Sequence, residues 1–310
     1  MEKKRKLAGV IIPAITPFDD EGKPDLPVFR DMLEFYIKAG VHGLFVAGSA
    51  GQGPVMPLKD RQLLAETAID TVRNRVPLII HVGCADTEST IELGLHAKNA
   101  GATAIAAITP FYYSDHSEYE IYAHYSRLAK AVGDLPIVLY DNQRYAGIHI
   151  TPSMVKLLVS GIPSICGIKL SYAAVPEMLE YVKVTPKEFA VISGGILNLL
   201  PSYYMGVSAS IHPPSSPFPE LCLEFWSSLV KKDFEGILGN YEKLHTLTSL
   251  ATSRFKGNSR SYLRTALRAR GFDVKRYPRW QTEEPSKDDV DYLTECINKT
   301  VGQVAIPIRR

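Results

Sequence analysis

The chain has 310 residues, which exceeds the length of an ordinary single-core domain, so it forms either two domains or one large architecture such as an α/β barrel. Hydrophobic residues make up 45% and charged residues 22% of the sequence, a balance that excludes an intrinsically disordered chain and a membrane-spanning one. The net charge of +2 gives no reason to expect a nucleic-acid or membrane partner.

The first eighteen residues combine a basic start with an apolar run, a superficial likeness to a secretion signal. Pro13 and Pro17 interrupt that run and no clean small-residue cleavage site follows, so we expect the first strand of a cytoplasmic protein here. The cysteines are far apart and form no Cys-x-x-Cys pair: Cys84, Cys166, Cys222 and Cys296. We therefore predict free thiols in a reducing compartment rather than a metal site or a disulfide framework.

Short apolar runs rich in β-branched residues recur along the chain between longer segments of helical periodicity. Eight of them are predicted strands: residues 9–18, 43–48, 77–83, 102–110, 136–141, 165–170, 189–194 and 206–211. Such nearly continuous apolar runs are typical of strands buried on both faces of a parallel sheet. The segments between them carry apolar residues at spacings of three and four and end at Gly or Asn, as crossover helices do.

Eight strand–helix units with no long linker among them favour a closed (β/α)8 barrel over an open, doubly wound sheet. After the eighth strand the sequence shows only helical patterns. We therefore predict a barrel catalytic domain in residues 1–215 and a helical C-terminal extension packed on it in residues 216–310. The active site of such a barrel lies at the carboxyl ends of its strands, so the candidate residues are sought there.

Lys169 is the only lysine within the eight predicted strands, and it lies near the carboxyl end of the sixth. A buried ammonium ion is unfavourable unless it is paired or deprotonated, and a deprotonated lysine can attack a carbonyl carbon to form a Schiff base. The alternative is a lysine that reaches the barrel mouth or pairs with an acid. Tyr140 ends the preceding strand, where its phenol could pass a proton to the intermediate or merely close a layer of the barrel.

Two loops complete this end of the predicted barrel. The turn after the second strand, residues 48–53, is rich in glycine, so its backbone N–H groups can converge on a carboxylate, and Ser49 adds a hydroxyl. The loop after the fourth strand offers the aromatic hydroxyls of Tyr112 and Tyr113. Taken alone, each is weak evidence of a site, since glycine-rich turns and aromatic rims are common.

Together these residues resemble the dihydrodipicolinate synthase/N-acetylneuraminate lyase family of class I, Schiff-base-forming pyruvate aldolases. Four motifs carry the resemblance in order, each at a predicted strand end: GSAGQ at 48–52, TPFYY at 109–113, LYDNQRYAG at 139–147 and GIKLS at 167–171. The resemblance extends from about residue 7 to residue 300. It implies a (β/α)8 barrel that binds a small 2-keto acid and requires neither a metal nor an organic cofactor.

The resemblance also implies roles for individual residues. Lys169 would form the Schiff base, and Tyr140 would act as general acid/base through a hydroxyl relay to Ser49 and Tyr112. The tyrosine matching Tyr112 reaches the neighbouring subunit's site in this family, which implies a homo-oligomer, either a dimer or a tetramer. The backbone of Ser49 and Ala50 would bind the keto acid's carboxylate.

The departures from the family pattern bear on the substrate. Ala50 replaces a threonine that binds the pyruvate carboxylate, and Gln52 replaces an acid. Tyr145 occupies the position of the arginine with which dihydrodipicolinate synthases bind the aldehyde substrate. Arg144 stands one residue earlier, and we expect it to be a solvated surface residue.

Further departures follow the later strands. Asp141 and Gln143 also differ from the pattern, and Gly195 and Ile196 replace the acidic pair of the sialic-acid lyases. Gly194 and Ser208 are further predicted substrate contacts, while His212 is expected to pack within its loop.

These departures favour an aldolase or dehydratase acting on a 2-keto-3-deoxy sugar acid or a related 4-hydroxy-2-keto acid. One alternative is 4-hydroxy-tetrahydrodipicolinate synthase, with Arg144 substituting for the missing arginine. The other is a non-catalytic paralogue that binds a keto acid, suggested by Ala50, Gln52 and Asp141. The intact set of Lys169, Tyr140, Ser49 and Tyr112 favours an enzyme.

Overall fold

The computed structural model describes residues 7–275 and 284–302. Eight parallel strands form a closed barrel in which each strand pairs with its neighbours in chain order and the eighth returns to the first. The strands are β1 (Gly9–Pro13), β2 (Gly43–Val46), β3 (Leu78–His81), β4 (Ala104–Ile108), β5 (Ile137–Asp141), β6 (Ile165–Leu170), β7 (Ala190–Ser193) and β8 (Ala209–Ser210). The predicted (β/α)8 barrel is confirmed.

Helices alternate with the strands and cover the outside of the barrel. They are α1 (Leu26–Ala39), α2 (Leu58–Val72), α3 (Thr87–Ala100), α4 (Glu118–Val132), α5 (Gln143–Ala146), α6 (Pro152–Gly161), α7 (Val175–Val184), α8 (Leu199–Tyr204), α9 (Pro219–Lys231), α10 (Phe234–Ser253), α11 (Ser259–Ala269) and α12 (Lys287–Val301). No helix in the described ranges is long and apolar enough to cross a membrane.

Local sequence signals set several helix ends. Asp86 caps α3 by accepting a hydrogen bond from the Ser89 amide at 2.8 Å, and Ser117 begins α4 with a capping box completed by Glu120. Gly40 ends α1 with a φ of 87°, a left-handed conformation that glycine adopts at low cost. These signals fix where each crossover turns back toward the sheet.

Each predicted strand is present, but all except β6 are shorter than predicted, and β1 and β8 show why. β1 ends at Pro13 rather than at residue 18, since prolines at 13 and 17 lack the N–H that continues a ladder. β8 contains only two residues, because Gly206 has a φ of 104° and belongs to the turn that follows α8. In both cases the apolar run continues beyond the residues that form ladder hydrogen bonds.

The barrel interior is filled in layers of four side chains from alternate strands. The strand registers place Phe45, Ala106, Lys169 and Ile211 in one layer, from the even-numbered strands. The layer above it, toward the carboxyl ends, contains Pro13, His81, Tyr140 and Gly194. Lys169 therefore projects from a closed apolar floor into the mouth of the barrel.

The C-terminal helices pack on the barrel. α9 lies against β1 and α1, and thus closes the barrel wall, while α10 packs along α9 and contacts α12. Buried Arg264 on α11 reaches the barrel itself. The division of the chain at residue 215 into a barrel domain and a helical extension stays a prediction. Residues 1–6 of the predicted barrel, and residues 276–283 and 303–310 of the predicted extension, lie outside the described residues.

Candidate active site

Lys169 lies at the bottom of the barrel mouth and is 6% exposed. Its Nζ is 4.0 Å from the centroid of the Tyr140 ring and 5.4 Å from the centroid of the Phe45 ring. Within the described residues no carboxylate forms an ion pair with it. The amine thus lies against two aromatic rings and has no acidic partner among the described residues. An acidic partner would favour the charged amine, which cannot attack a carbonyl carbon.

Tyr140 lies opposite Lys169 on the adjacent strand. Its hydroxyl is 3.1 Å from Ser49 Oγ and accepts a hydrogen bond from Asn142 Nδ2 at 2.9 Å. Burial alone would raise the pKa of Tyr140, but the charge of Lys169 and the hydrogen bonds from Ser49 and Asn142 outweigh it and lower the pKa from its ordinary value. The phenol is therefore prepared to exchange a proton with a group at Lys169.

The predicted glycine-rich turn follows β2 and holds Ser49 in place. Gly53 donates its amide to the Gly48 carbonyl at 3.1 Å, which closes the turn. A Cβ on Gly53 would lie 1.7 Å from the Ala47 carbonyl oxygen, and one on Gly51 would lie 2.8 Å from the Ala14 carbonyl oxygen. Glycine is required here because two backbone segments meet more closely than a side chain permits.

We expect Gly53→Ala to destabilise the protein by about 1–3 kcal/mol, because the new methyl group must displace the backbone of the Ser49 turn. Urea unfolding measures the change. The matched control is Gly239→Ala on α10, where an added Cβ meets nothing within 4 Å and helix propensity favours alanine. Equal stability of both variants would contradict the close approach at Gly53.

A buried arginine from the C-terminal helices supports the same turn. Arg264 Nη2 donates to Gln52 Oε1, and Nη1 donates to the carbonyls of Thr16 at 3.2 Å and Lys275 at 2.6 Å. Burial lowers the pKa of Arg264 to about 9. In the sequence, Gln52 stands out only because it replaces an acidic residue of the family pattern. In the structure, it connects α11 to the predicted carboxylate-binding turn.

The barrel interior contains a histidine that sequence reasoning missed. His81 lies edge-on to the Tyr140 ring at 5.5 Å, and its Nδ1 is 3.2 Å from the Ala47 carbonyl oxygen. Burial, then the nearby charges of Arg61 and Lys169, hold the pKa of His81 well below its usual range. The imidazole is therefore neutral, and its inward-facing position on β3 is the signal that could have identified it.

The loop after β5 brings Asn142 but not Arg144 to the site. Arg144 and Tyr145 lie on the exposed single turn α5, where the guanidinium is 6.0 Å from the Tyr145 ring and is hydrogen-bonded to Tyr172. Arg144 is thus a surface residue. Asp141 points away from the barrel interior and accepts hydrogen bonds from the Ile150 amide at 2.9 Å and from His149 at 3.2 Å.

Two of the remaining predicted residues lie elsewhere. Tyr112 is 85% exposed, has a φ of 92° and packs against Tyr113, so within this chain its hydroxyl does not join the Tyr140–Ser49 relay. The prediction that Ser208 contacts substrate is wrong. Its neighbour Ala209 faces the interior, so Ser208 faces outward, where its Oγ donates to the Leu7 carbonyl at 3.0 Å near the amino end of the barrel.

Gly194 and His212 lie near the lysine. Gly194 belongs to the interior layer of Tyr140, and a Cβ there would lie 2.6 Å from the Leu170 carbonyl oxygen. Burial, followed by the charge of Lys169, lowers the pKa of His212 to about 3, so this imidazole is neutral too. Its carbonyl accepts a hydrogen bond from the Ser215 hydroxyl at 2.6 Å, in keeping with the predicted packing role.

Comparisons with known proteins agree with this geometry. The model of the dihydrodipicolinate synthetase family matches residues 6–299. A 4-hydroxy-tetrahydrodipicolinate synthase of Bartonella bacilliformis is 29% identical over 92% of this chain and 96% of its own, and a DapA-like lyase of Thermococcus kodakarensis is 31% identical over 87% and 91%. This chain also superposes, with a TM-score of 0.87, on the crystal structure of an Escherichia coli K12 prophage protein of the dihydrodipicolinic acid synthase family in complex with pyruvate. The two chains are 25% identical, and the match covers 95% of this chain and 98% of that one.

Proposed function

Because the chain belongs to the dihydrodipicolinate synthetase family, whose members are pyruvate-dependent lyases and aldolases, we propose that it cleaves or dehydrates a 2-keto-3-deoxy sugar acid or a related 4-hydroxy-2-keto acid. The chain is a lyase of the Schiff-base-forming class, so the alternative of a non-catalytic paralogue is not retained. The observation that carries the proposal is the continuous arrangement of Lys169, Tyr140 and Ser49 in the barrel mouth.

Lys169 is proposed as the nucleophile. Its amine attacks the keto carbon, and the resulting carbinolamine loses water to give an iminium ion. That ion withdraws electrons from the neighbouring carbon and so stabilises the enamine that remains when a carbon–carbon bond breaks. In a dehydration, the same withdrawal lets the neighbouring carbon lose a proton, and the enamine so formed expels the hydroxyl of the next carbon as water to give a conjugated iminium ion. The apolar floor below Lys169 keeps water from the far side of the intermediate.

Tyr140 is proposed as the acid and base of these steps. Its hydroxyl lies between Lys169 and Ser49 and is held by Asn142, so a proton can pass from the phenol to the leaving hydroxyl and return. Asn142 supports the phenolate by donation and thus acts as a positioning residue. Tyr112 of a second subunit is proposed to complete the relay, since its own chain leaves it exposed.

The substrate's two ends are assigned to different parts of the mouth. The backbone amides of Ser49 and Ala50 are proposed to hold the carboxylate, in a turn fixed by its glycines and by Arg264. Gly194, in the same interior layer as Tyr140, is proposed to lie beside the carbon chain that extends from the carboxylate. Tyr145, in place of an arginine, offers a hydroxyl rather than a positive charge at the rim, which suits a hydroxylated chain better than a second carboxylate.

Pyruvate and sodium borohydride test the proposed chemistry directly. We expect reduction to add the mass of one pyruvate-derived group to Lys169, located by peptide mass spectrometry. Lys169→Arg, which keeps the charge but cannot form the imine, should remain unmodified. Unmodified Lys169 at saturating pyruvate and other 2-keto acids would refute the proposal.

4-Hydroxy-tetrahydrodipicolinate synthase remains the second candidate, because the relative from Bartonella bacilliformis carries that name. The exposed position of Arg144 argues against it. Condensation of pyruvate with aspartate semialdehyde distinguishes the two: product formation that Arg144→Ala abolishes would favour the synthase, whereas Schiff-base formation without condensation would exclude it.

We also propose that the protein acts in the cytoplasm as a homodimer or homotetramer. Tyr112, Tyr113 and Tyr119 are 85%, 66% and 80% exposed and follow one another along the loop after β4 and the start of α4. Such a group of large exposed rings is characteristic of a protein interface. A second copy would cover it and bring Tyr112 near the Tyr140 of its partner.

A further inference from the structure

Phe45 lies beside the reacting amine and has no part in the relay. It comes from β2 and shares an interior layer with Lys169, whose Nζ lies 5.4 Å above the Phe45 ring centroid. The face of an aromatic ring carries partial negative charge and attracts a cation within about 6 Å, most strongly where water is excluded. Phe45 is 1% exposed, so this contact is shielded from water.

The surrounding residues fix the orientation of this ring. A Cβ on Gly48 would lie 2.3 Å from Phe45 Cε1, so the ring fills the space that any side chain at position 48 would need. Tyr140 packs edge-on against Phe45 at 5.9 Å, and His81 lies 6.1 Å from Phe45 and packs against the same Tyr140 ring at 5.5 Å. These neighbours pack the Phe45 ring in place beside Lys169.

The other groups around Nζ supply no negative charge. His81 and His212 are neutral imidazoles, and within the described chain Lys169 has no carboxylate partner. Arg61 adds a positive charge behind His81. Besides the Tyr140 oxygen, which becomes negative when the phenol gives up its proton, the faces of Phe45 and Tyr140 are the groups near this nitrogen that favour a cation.

We propose that Phe45 is a catalytic residue whose ring face stabilises the cationic iminium ion on Lys169. This inference rests on the proposed function. In the step concerned, the neutral carbinolamine R–NH–C(OH) breaks its C–O bond, the hydroxyl leaves as water with a proton from Tyr140, and the nitrogen lone pair forms the C=N bond. Positive charge appears on Nζ, directly above the ring.

Ring fluorination tests the role of the charge without changing the shape of the site. Phenylalanines carrying one, two or three ring fluorines at position 45 weaken the negative face progressively while keeping the hydrophobic volume. The borohydride reduction rate of the preformed pyruvate adduct reports how much of it is iminium, and we expect a stepwise fall of about tenfold in total. Acylation of Lys169 by acetic anhydride, without keto acid, reports the uncharged amine, and we expect this rate to rise stepwise.

Plotted against the number of ring fluorines, the reduction rate should fall and the acylation rate should rise. Opposite slopes distinguish an electrostatic effect from a packing effect, because altered access to Lys169 would move both rates in the same direction. The same fluorinated residues at Phe225, a buried ring on α9, should change neither rate. Flat rates across the series, or slopes of the same sign, would overturn the proposal, as would a rise in acylation with no fall in reduction. Failure of the unaltered protein to form any adduct would instead refute the Schiff-base function.

Discussion

Tyr140→Phe is expected to lower kcat by about 10²–10⁴-fold, because it removes the hydroxyl that is hydrogen-bonded to Ser49 while keeping the ring that packs beside the Lys169 amine. The loss should appear in kcat more than in KM, since the hydroxyl acts on protons that move during the reaction. Steady-state assays with a 4-hydroxy-2-keto acid, and the rate of pyruvate adduct formation, measure it.

The matched control is Tyr125→Phe on α4, which also removes a buried phenol, one that donates to the Ala107 carbonyl at 3.0 Å outside the barrel interior. This variant should lose some stability but keep its kcat. Retention of full activity by Tyr140→Phe would assign proton transfer to another group. An equal loss in both variants would indicate a general structural effect rather than a relay.

The sequence predicts those features of the site that depend on position within one strand. Lys169 and Tyr140 stand out because a charged amine and a phenol end two successive apolar runs, and adjacent parallel strands carry such residues to the same rim. The turn at 48–53 is recognisable from its glycines alone. Local sequence pattern and barrel topology are therefore enough to predict the fold and the proposed catalytic pair.

What the sequence does not predict depends on side-chain direction and on contacts between distant segments. Ser208 was expected to line the mouth because its segment is polar, but the alternation of a strand sends it outward. Arg264 is separated from Gln52 by 212 residues, and no local pattern joins them. Asn142 lies in the loop after β5, and nothing in its local sequence indicates that its amide donates to the Tyr140 hydroxyl.

Buried histidines with lowered pKa values make this fold sensitive to acid. Burial, followed by the charges of His116 and Arg127, lowers the pKa of His124 from 6.5 to about 4, and its ring is held by Thr87 at 2.9 Å. In the unfolded chain this imidazole takes up a proton near pH 6.5, whereas in the folded protein it does so only near pH 4. The unfolded state therefore binds more protons in this window, and stability falls as the pH drops through it.

His124→Gln is expected to remove about 3 kcal/mol of the acid-induced loss of stability between pH 6.5 and 4, because glutamine takes up no proton in either state. The free energy of unfolding by urea, measured across this range, gives the slope for each variant. The comparison of variants cancels the opposing contribution of Asp141, whose carboxyl has its pKa raised by burial. Exposed His245 on α10 supplies the control, and His245→Gln should leave the slope of the parent protein unchanged. If His124→Gln kept the parent's slope, protonation of His124 would not drive the acid-induced loss of stability, and other groups with lowered pKa values, such as His42, His81 and His212, would account for it.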